Sequence, residues 1–147
     1  MKITANVRNA GHDHRVAVTT EGDTRSLAIP SRASGPGSGV NGGEFLMLAL
    51  ATCDCNDIYR EAERSSVPVG SVEVEAQADF AGIGIAATNI SYRARIVSTA
   101  SHADIDALLR RTDAVAEVQN TLRAGAKVTR HAWEAAQPAR REGVDDG

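Results

Sequence analysis

Cysteine is nearly absent from this chain: two residues in 147. So few thiols exclude a disulfide scaffold, and a reducing compartment keeps them free unless they do chemistry. A basic block is also missing. The net charge is -3, and no cluster of Lys and Arg is dense enough to neutralise a phosphate backbone, which excludes nucleic acid as the expected partner. No segment approaches the roughly 20 apolar residues that a membrane-spanning helix needs, and the start, "MKITANVRNAGHDHR", has no uninterrupted apolar stretch of the kind found in secretory leaders. The expected location is the cytoplasm. What is present is ordinary for a globular chain, 42% hydrophobic and 24% charged, and 147 residues most simply make one domain that buries roughly two-thirds of its unfolded surface.

Three short runs, "KITANVRN", "HRVAVTT" and "TRSLAIP", are separated by the turn-prone "AGHD" and "EGD", and loops this short predict an antiparallel meander. Ser31 to Gly43, "SRASGPGSGVNGG", is too rich in Gly, Pro and Ser to be regular. The segment from Gly43 to about Ser65 predicts a helix spanning roughly 33 Å at 1.5 Å per residue. Its first half contains "FLMLALA", apolar on every side, which predicts a helix covered all round by a second layer or a second subunit. "SVEVEAQADF" and "NISYRARIV" alternate apolar and polar residues, Val72 to Phe80 forming the buried set of the first, and "AGIGIAAT" between them predicts a hairpin with a longer loop. Ser101 and Asp104 read as a capping box before a helix that carries Ile105, Leu108 and Leu109. A further helix places Val115, Val118 and Leu122 on one stripe, with Gly125 at its C-cap. "AKVTRHAW" reads as a last strand, closing a domain over residues 1–136. "QPARREGVDDG", residues 137–147, has nothing apolar to bury and is expected to be a disordered tail. The order β-β-β-α-β-β-α-α-β predicts an α+β domain with mainly antiparallel sheets.

Gly37, Gly39 and Gly42 match the G-x-G-x-x-G spacing of a dinucleotide loop. Antiparallel neighbours and an acidic Glu44 in the first turn of the helix oppose that reading. The loop is instead expected to lead into the helix, with Asn41 as N-cap. His12 and His14 lie on one face of an extended "HDH", yet they complete a Cys/His metal site only if the helix is broken. No metal or organic cofactor is expected.

Cys53 and Cys55 stand two residues apart on the predicted helix, about 200° around it, which precludes a mutual disulfide in an intact helix. The neighbours of Cys55 at helical spacing are Leu48, Ala51, Thr52, Ile58, Tyr59 and Ala62, an inert core setting. Those of Cys53 are Leu46, Ala49, Leu50, Asn56, Asp57 and Arg60: an apolar wall on one side, charge on the other. Arg60 is positioned to favour a thiolate and Asp57 to oppose it. Either Cys53 is a reactive thiol or both cysteines merely pack.

"GGEFLMLALATCDCNDIYREAERSSVPVGSVEVE" resembles the central helix and following strand of the OsmC/Ohr family, the osmotically induced and organic-hydroperoxide-resistance proteins, and the resemblance runs from Met1 to about Thr129. Cys53 matches the family's peroxidatic cysteine. The resemblance implies an intertwined homodimer whose long helices are enclosed by sheets of both chains. It also implies a stress-response thiol peroxidase that reduces organic hydroperoxides through a sulfenic acid. On that reading Cys53 is the nucleophile, Arg15 or Arg60 the thiolate-stabilising cation, and Glu44 the group orienting it. The chain departs from the pattern in three places. Counting back from Asn120 in "AVAEVQNTL", the position of the resolving cysteine holds Ala116; the early turn "GHDHR" offers His12 at the position of the activating Arg, with Arg15 three residues on; and Glu44 stands nine residues before the cysteine, with Gly43 ten before. Turnover without a resolving cysteine implies an external thiol reductant. The alternative from another class is a non-catalytic member binding a hydrophobic small molecule at the dimer interface, and a third is an assembly protein with that pocket filled by side chains.

Overall fold

The computed structural model describes residues 1–133. In chain order it holds β1 (Ile3–Ala10), β2 (Asp13–Thr20), β3 (Asp23–Leu27), α1 (Gly42–Arg64), β4 (Ser71–Asp79), β5 (Thr88–Val97), α2 (His102–Val115) and α3 (Glu117–Arg123). β1, β2 and β3 form one antiparallel sheet in that order, and β4 and β5 form a second, two-stranded one. The architecture is the expected α+β arrangement. The β2–β3 turn has positive φ at both Glu21 and Gly22, the mirror-image geometry that matches strand twist in two-residue hairpins.

α1 starts where its cap chemistry dictates. Asn41 Oδ1 accepts from the Glu44 N–H at 2.9 Å while Glu44 Oε2 accepts from the Asn41 N–H at 2.7 Å, a reciprocal box that satisfies two free donors of the first turn. β4 alternates as its sequence predicts, with Val72, Val74 and Ala76 turned toward α1 and Glu73 and Glu75 toward solvent. Ser101 caps α2 by accepting from the Asp104 N–H. The core sits where α1 crosses β4, β5 and α2: Ile58, Ala62 and Leu108 are buried, with Val67, Val72, Val74, Ala94 and Ile96 packed around them.

Several sequence expectations need correction. The segment "AKVTRHAW" forms no strand. Val128 is 95% and Trp133 88% exposed, because a strand exists only by pairing and no described strand edge runs alongside residues 126–133. The order among the described residues is therefore β-β-β-α-β-β-α-α. Phe80, expected as the last inward residue of β4, falls beyond it, since the register slips between Gln77 and Asp79, and its ring meets the helix start at Gly43. The domain end at 136 and the tail 137–147 lie outside the described residues.

One chain covers α1 on one side only. Leu50 is 2% exposed but Leu48, half a turn away, is 57% exposed. The β1–β3 sheet makes no extensive contact with any helix or with the second sheet, and Val7 in its first strand is 61% exposed. The total accessible surface is 11627 Å², against about 7,200 Å² for a compact protein of this mass. Even fully unfolded, the residues beyond 133 contribute only about 2,100 Å².

The core assignment makes a direct prediction. Ile58→Ala lowers the unfolding free energy measured in urea by about 3 kcal/mol, whereas a change below about 1 kcal/mol would show that Ile58 is not part of the core.

Candidate functional site

Cys53 lies in the middle of α1, half-buried, with a free thiol. Its Sγ is 3.4 Å from Asp57 Oδ2, one turn along the same helix. It is 3.9 Å from Glu117 Oε2. Glu117 reaches the thiol because the chain turns at Ala116, whose extended backbone separates α2 from α3. Ala116 is fully buried in that corner, so the position that resembles the family's resolving cysteine stands one residue from a group touching Cys53. Gln119 fastens the corner to α1 by donating Nε2 to the Leu50 carbonyl at 3.2 Å.

The electrostatics follow from this placement. Burial raises the Cys53 thiol above its ordinary pKa, the Val118 N–H pulls the other way, and the carboxylates of Asp57 and Glu117 add to the rise. Within one chain the thiol is therefore held protonated. Among the described residues no guanidinium offsets the acids at the sulfur. Arg60 turns away from it, with Nη1 2.7 Å from Asp57 Oδ1 and Nε 3.2 Å from Glu61 Oε1.

The other residues singled out in the sequence lie elsewhere. Arg15 is an exposed residue of β2 paired with Asp13 at 3.1 Å, in the sheet that does not pack on α1. Glu44 is committed to the capping box; nine residues before Cys53 on a helix, it stands about 13 Å along and half a turn around from it. His12 occupies the β1–β2 turn and His14 contacts Asn9, both on the hairpin remote from the cysteines. Cys55 is half-buried rather than a core thiol, because its face of α1, shared with the exposed Tyr59, has nothing packed on it. In the Gly-rich loop the amides are used internally: Gly37 N–H donates to Asn9 Oδ1, Gly39 N–H to the Pro30 carbonyl and Val40 N–H to Ser38 Oγ. Two of the three glycine amides of the motif are therefore not free for a phosphate.

Donor atoms of Cys53, Asp57 and Glu117 lie within 4.8 Å of one another, close enough by distance to hold a cation. The Arg60 guanidinium, however, already occupies Asp57, so this trio reads as an acid–thiol cluster. Asp57 was visible in the sequence at i+4 from Cys53, but only as an opposing charge; Glu117 was not, because it joins the site across 64 residues.

A second polar group lies behind the first. Asp54 is 2% exposed and its Oδ2 has no hydrogen-bond partner. Burial first, then the charges of Asp113 and Asp57, push its carboxyl up to about 6. Across from it, Tyr92 on β5 donates to Asp113 on α2, and Arg123 on α3 holds the same carboxylate at 2.6 Å. Those two hydrogen bonds, Tyr92 first, lower the Asp113 carboxyl, while burial and then Asp113 raise the Tyr92 phenol. Beside this network a cavity of about 210 Å³ opens between α1, β5 and α3, lined by Leu50, Ile90, Tyr92, Gln119, Leu122 and Arg123.

Comparison with known proteins gives a consistent picture. The family model described as OsmC-like protein matches residues 35–130. Among solved structures, an OsmC-like protein from Mycoplasma pneumoniae superposes with a TM-score of 0.59 at 18% identity, covering 83% of this chain and 86% of that one. An organic hydroperoxide resistance protein from Legionella pneumophila, also described as a predicted redox protein, gives 0.56 at 19% identity over 84% and 90%. An OsmC-like hydroperoxide resistance protein from a Jannaschia species gives 0.55 at 20% identity over 92% and 94%. No curated protein matches the chain in sequence.

The buried carboxyl yields a pH prediction. Unfolded, Asp54 titrates near the ordinary carboxylate value of about 3.9; folded, it titrates at about 6. Folding thus holds its proton more tightly, and this contribution to stability is fully present below about pH 4 and lost as pH rises through 6. Asp57, Asp113 and Tyr92 face it, with Arg123 neutralising Asp113. Relative to Asp54→Asn, the wild type loses about 1–2 kcal/mol of unfolding free energy between pH 5 and pH 8, read from urea titrations. A difference that does not change with pH would show that Asp54 is not held in this environment.

Proposed function

Because the chain belongs to the family of OsmC-like proteins, we propose that it is a Cys53-dependent peroxidase that reduces small organic hydroperoxides and is regenerated by an external thiol. The observation that carries the reading is the seat of Cys53: a half-buried thiol at mid-helix, backed by a closed α2–α3 corner and open toward the uncovered side of α1. Two structural relatives named for hydroperoxide resistance support the substrate class.

The chemistry balances with the residues available. The sulfur attacks the terminal oxygen of the hydroperoxide, the O–O bond breaks, and the alkoxide leaves as an alcohol once protonated, with Cys53 oxidised to a sulfenic acid. Ala116 has no sulfur to displace water from that sulfenic acid. An external thiol therefore attacks, forming a mixed disulfide, and a second thiol equivalent releases Cys53 and departs as the disulfide. No metal or organic cofactor enters this cycle, and the thiol supply places it in a reducing compartment such as the cytoplasm.

The working form is a homodimer in this reading. The surface in excess of a compact chain, at least about 2,000 Å² per protomer, suits an obligate interface, and a second copy laid on the bare side of α1 would cover Leu48. It would also bring a cation to Cys53 that the described residues of one chain do not supply. Arg60 is engaged by Asp57 and Glu61, whereas Arg15 sits on the free sheet, from which it could reach a partner's helix.

A second reading has its own support. The raised thiol pKa and the largely apolar 210 Å³ cavity fit a non-catalytic member that binds a hydrophobic small molecule. It requires a Cys53 thiol that alkylates no more readily than an ordinary cysteine, no sulfenic acid after peroxide, and a ligand that raises the melting temperature.

Stopped-flow consumption of cumene hydroperoxide with dithiothreitol separates the two. The peroxidase reading predicts consumption by the wild type and its loss in Cys53→Ser; equal rates for the two proteins would end it.

A further inference from the structure

Both side chains at hydrogen-bonding distance from the Cys53 sulfur are carboxylates, not cations, and they differ in kind. Glu117 is exposed and its Oε2 stands 3.9 Å away. Asp57 is buried, its Oδ2 is 3.4 Å from Sγ, and its other oxygen is pinned by Arg60 at 2.7 Å. The guanidinium fixes the Asp57 carboxylate so that Oδ2 faces the sulfur. A buried, oriented carboxylate in contact with a protonated nucleophile has the geometry of a general base.

We propose that Asp57, held by Arg60, is the proton relay of Cys53. Its Oδ2 accepts the thiol proton as sulfur attacks the hydroperoxide, then returns that proton to the departing alkoxide. The inference rests on the peroxidase reading and adds a residue to it. In the step, the S–H bond breaks as an O–H bond forms on Asp57; an S–O bond forms as the O–O bond breaks; and the alkoxide oxygen takes the proton from Asp57. A thiol and a hydroperoxide become a sulfenic acid and an alcohol, with Asp57 unchanged. The Val118 N–H, which favours the charged form of Cys53, steadies the sulfur while the proton is away. Arg60, engaged by Asp57, thereby acts on the base rather than on the sulfur.

The relay and a merely electrostatic Asp57 predict opposite signs. If Asp57 does no more than repel negative charge at the sulfur, Asp57→Asn eases thiolate formation and speeds the reaction. If it carries the proton, Asp57→Asn keeps a hydrogen-bond acceptor but removes the base, slowing Cys53 oxidation by about 100-fold. The full-length protein is mixed with cumene hydroperoxide in single turnover, sulfenic acid being trapped with dimedone, from pH 6 to pH 9. The wild-type rate is expected to be nearly flat between pH 6 and 8, and that of Asp57→Asn low and rising with pH as free thiolate forms. Glu117→Gln is expected to stay within a few-fold of wild type. Melting curves establish that the variants are folded, and the wild-type pH profile stands by itself if Asp57→Asn is not. A reactive wild type with an equal or faster Asp57→Asn, or a wild-type rate rising steeply through neutral pH, overturns the relay alone. A wild type that does not react overturns the peroxidase reading together with it.

Discussion

A 23-residue helix whose leading half is apolar on every side must be covered on every side, since each exposed leucine or methionine costs burial energy that nothing else in a small domain replaces. The described residues cover one flank of α1, with β4, β5 and α2, and leave the other bare. Much else in the structure follows from that shortfall. The β1–β3 sheet has no helix to rest on, the surface is too large for the mass, and the fully buried apolar core is confined to a few residues around Ile58 and Leu108. The free sheet and the bare helix flank are complementary needs, which a second copy of the chain would meet at once in the proposed dimer.

The same constraint governs the chemistry. Cys53 sits at the boundary between the covered and uncovered sides, where the described residues furnish acids and a backbone N–H but no free cation. The sulfur is thus reachable yet held as a thiol, and in the proposed reading its reactivity depends on what handles its proton and on what a second copy would bring. Asp57 is buried on the covered side, and the exposed Arg60 clamps it from the solvent edge. Arg15, on the free sheet, belongs to the side that a second copy would complete in the proposed dimer. Asp54, next to Cys53 in sequence but rotated into the core, carries the electrostatic strain of the α1–α2 contact, relieved only in part by the Tyr92–Asp113–Arg123 network.

Much of the fold was legible in the sequence because its signals are local. The alternation of β4, the Asn41–Glu44 box and the Ser101 cap each depend on residues a few positions apart, and each formed where its chemistry indicated. Strand pairing is not local, and there the reading failed. "AKVTRHAW" has the composition of a strand, but composition does not supply a neighbour to pair with. Phe80 was misplaced for a similar reason, since a register slip is a property of two strands rather than one. In the site, Cys53 was identified from helical geometry and the family resemblance. Its true contacts were half visible: Asp57 lies one turn away, while Glu117 is brought in by the Ala116 corner, which no periodicity announces. Arg60 was assigned to the sulfur because spacing alone does not tell which of two neighbouring groups a guanidinium will choose, and the carboxylates of Asp57 and Glu61 were the better partners.

The claim beneath this account is that the protomer is incomplete by itself. Sedimentation equilibrium of the wild type and of Leu48→Arg, which places a charge on the bare flank of α1, tests it most directly. The account predicts a wild-type mass of twice the 15.4 kDa chain, with Leu48→Arg shifted toward the single-chain mass and reduced in melting temperature. A wild type that sediments as a single chain and unfolds in one cooperative transition would contradict it.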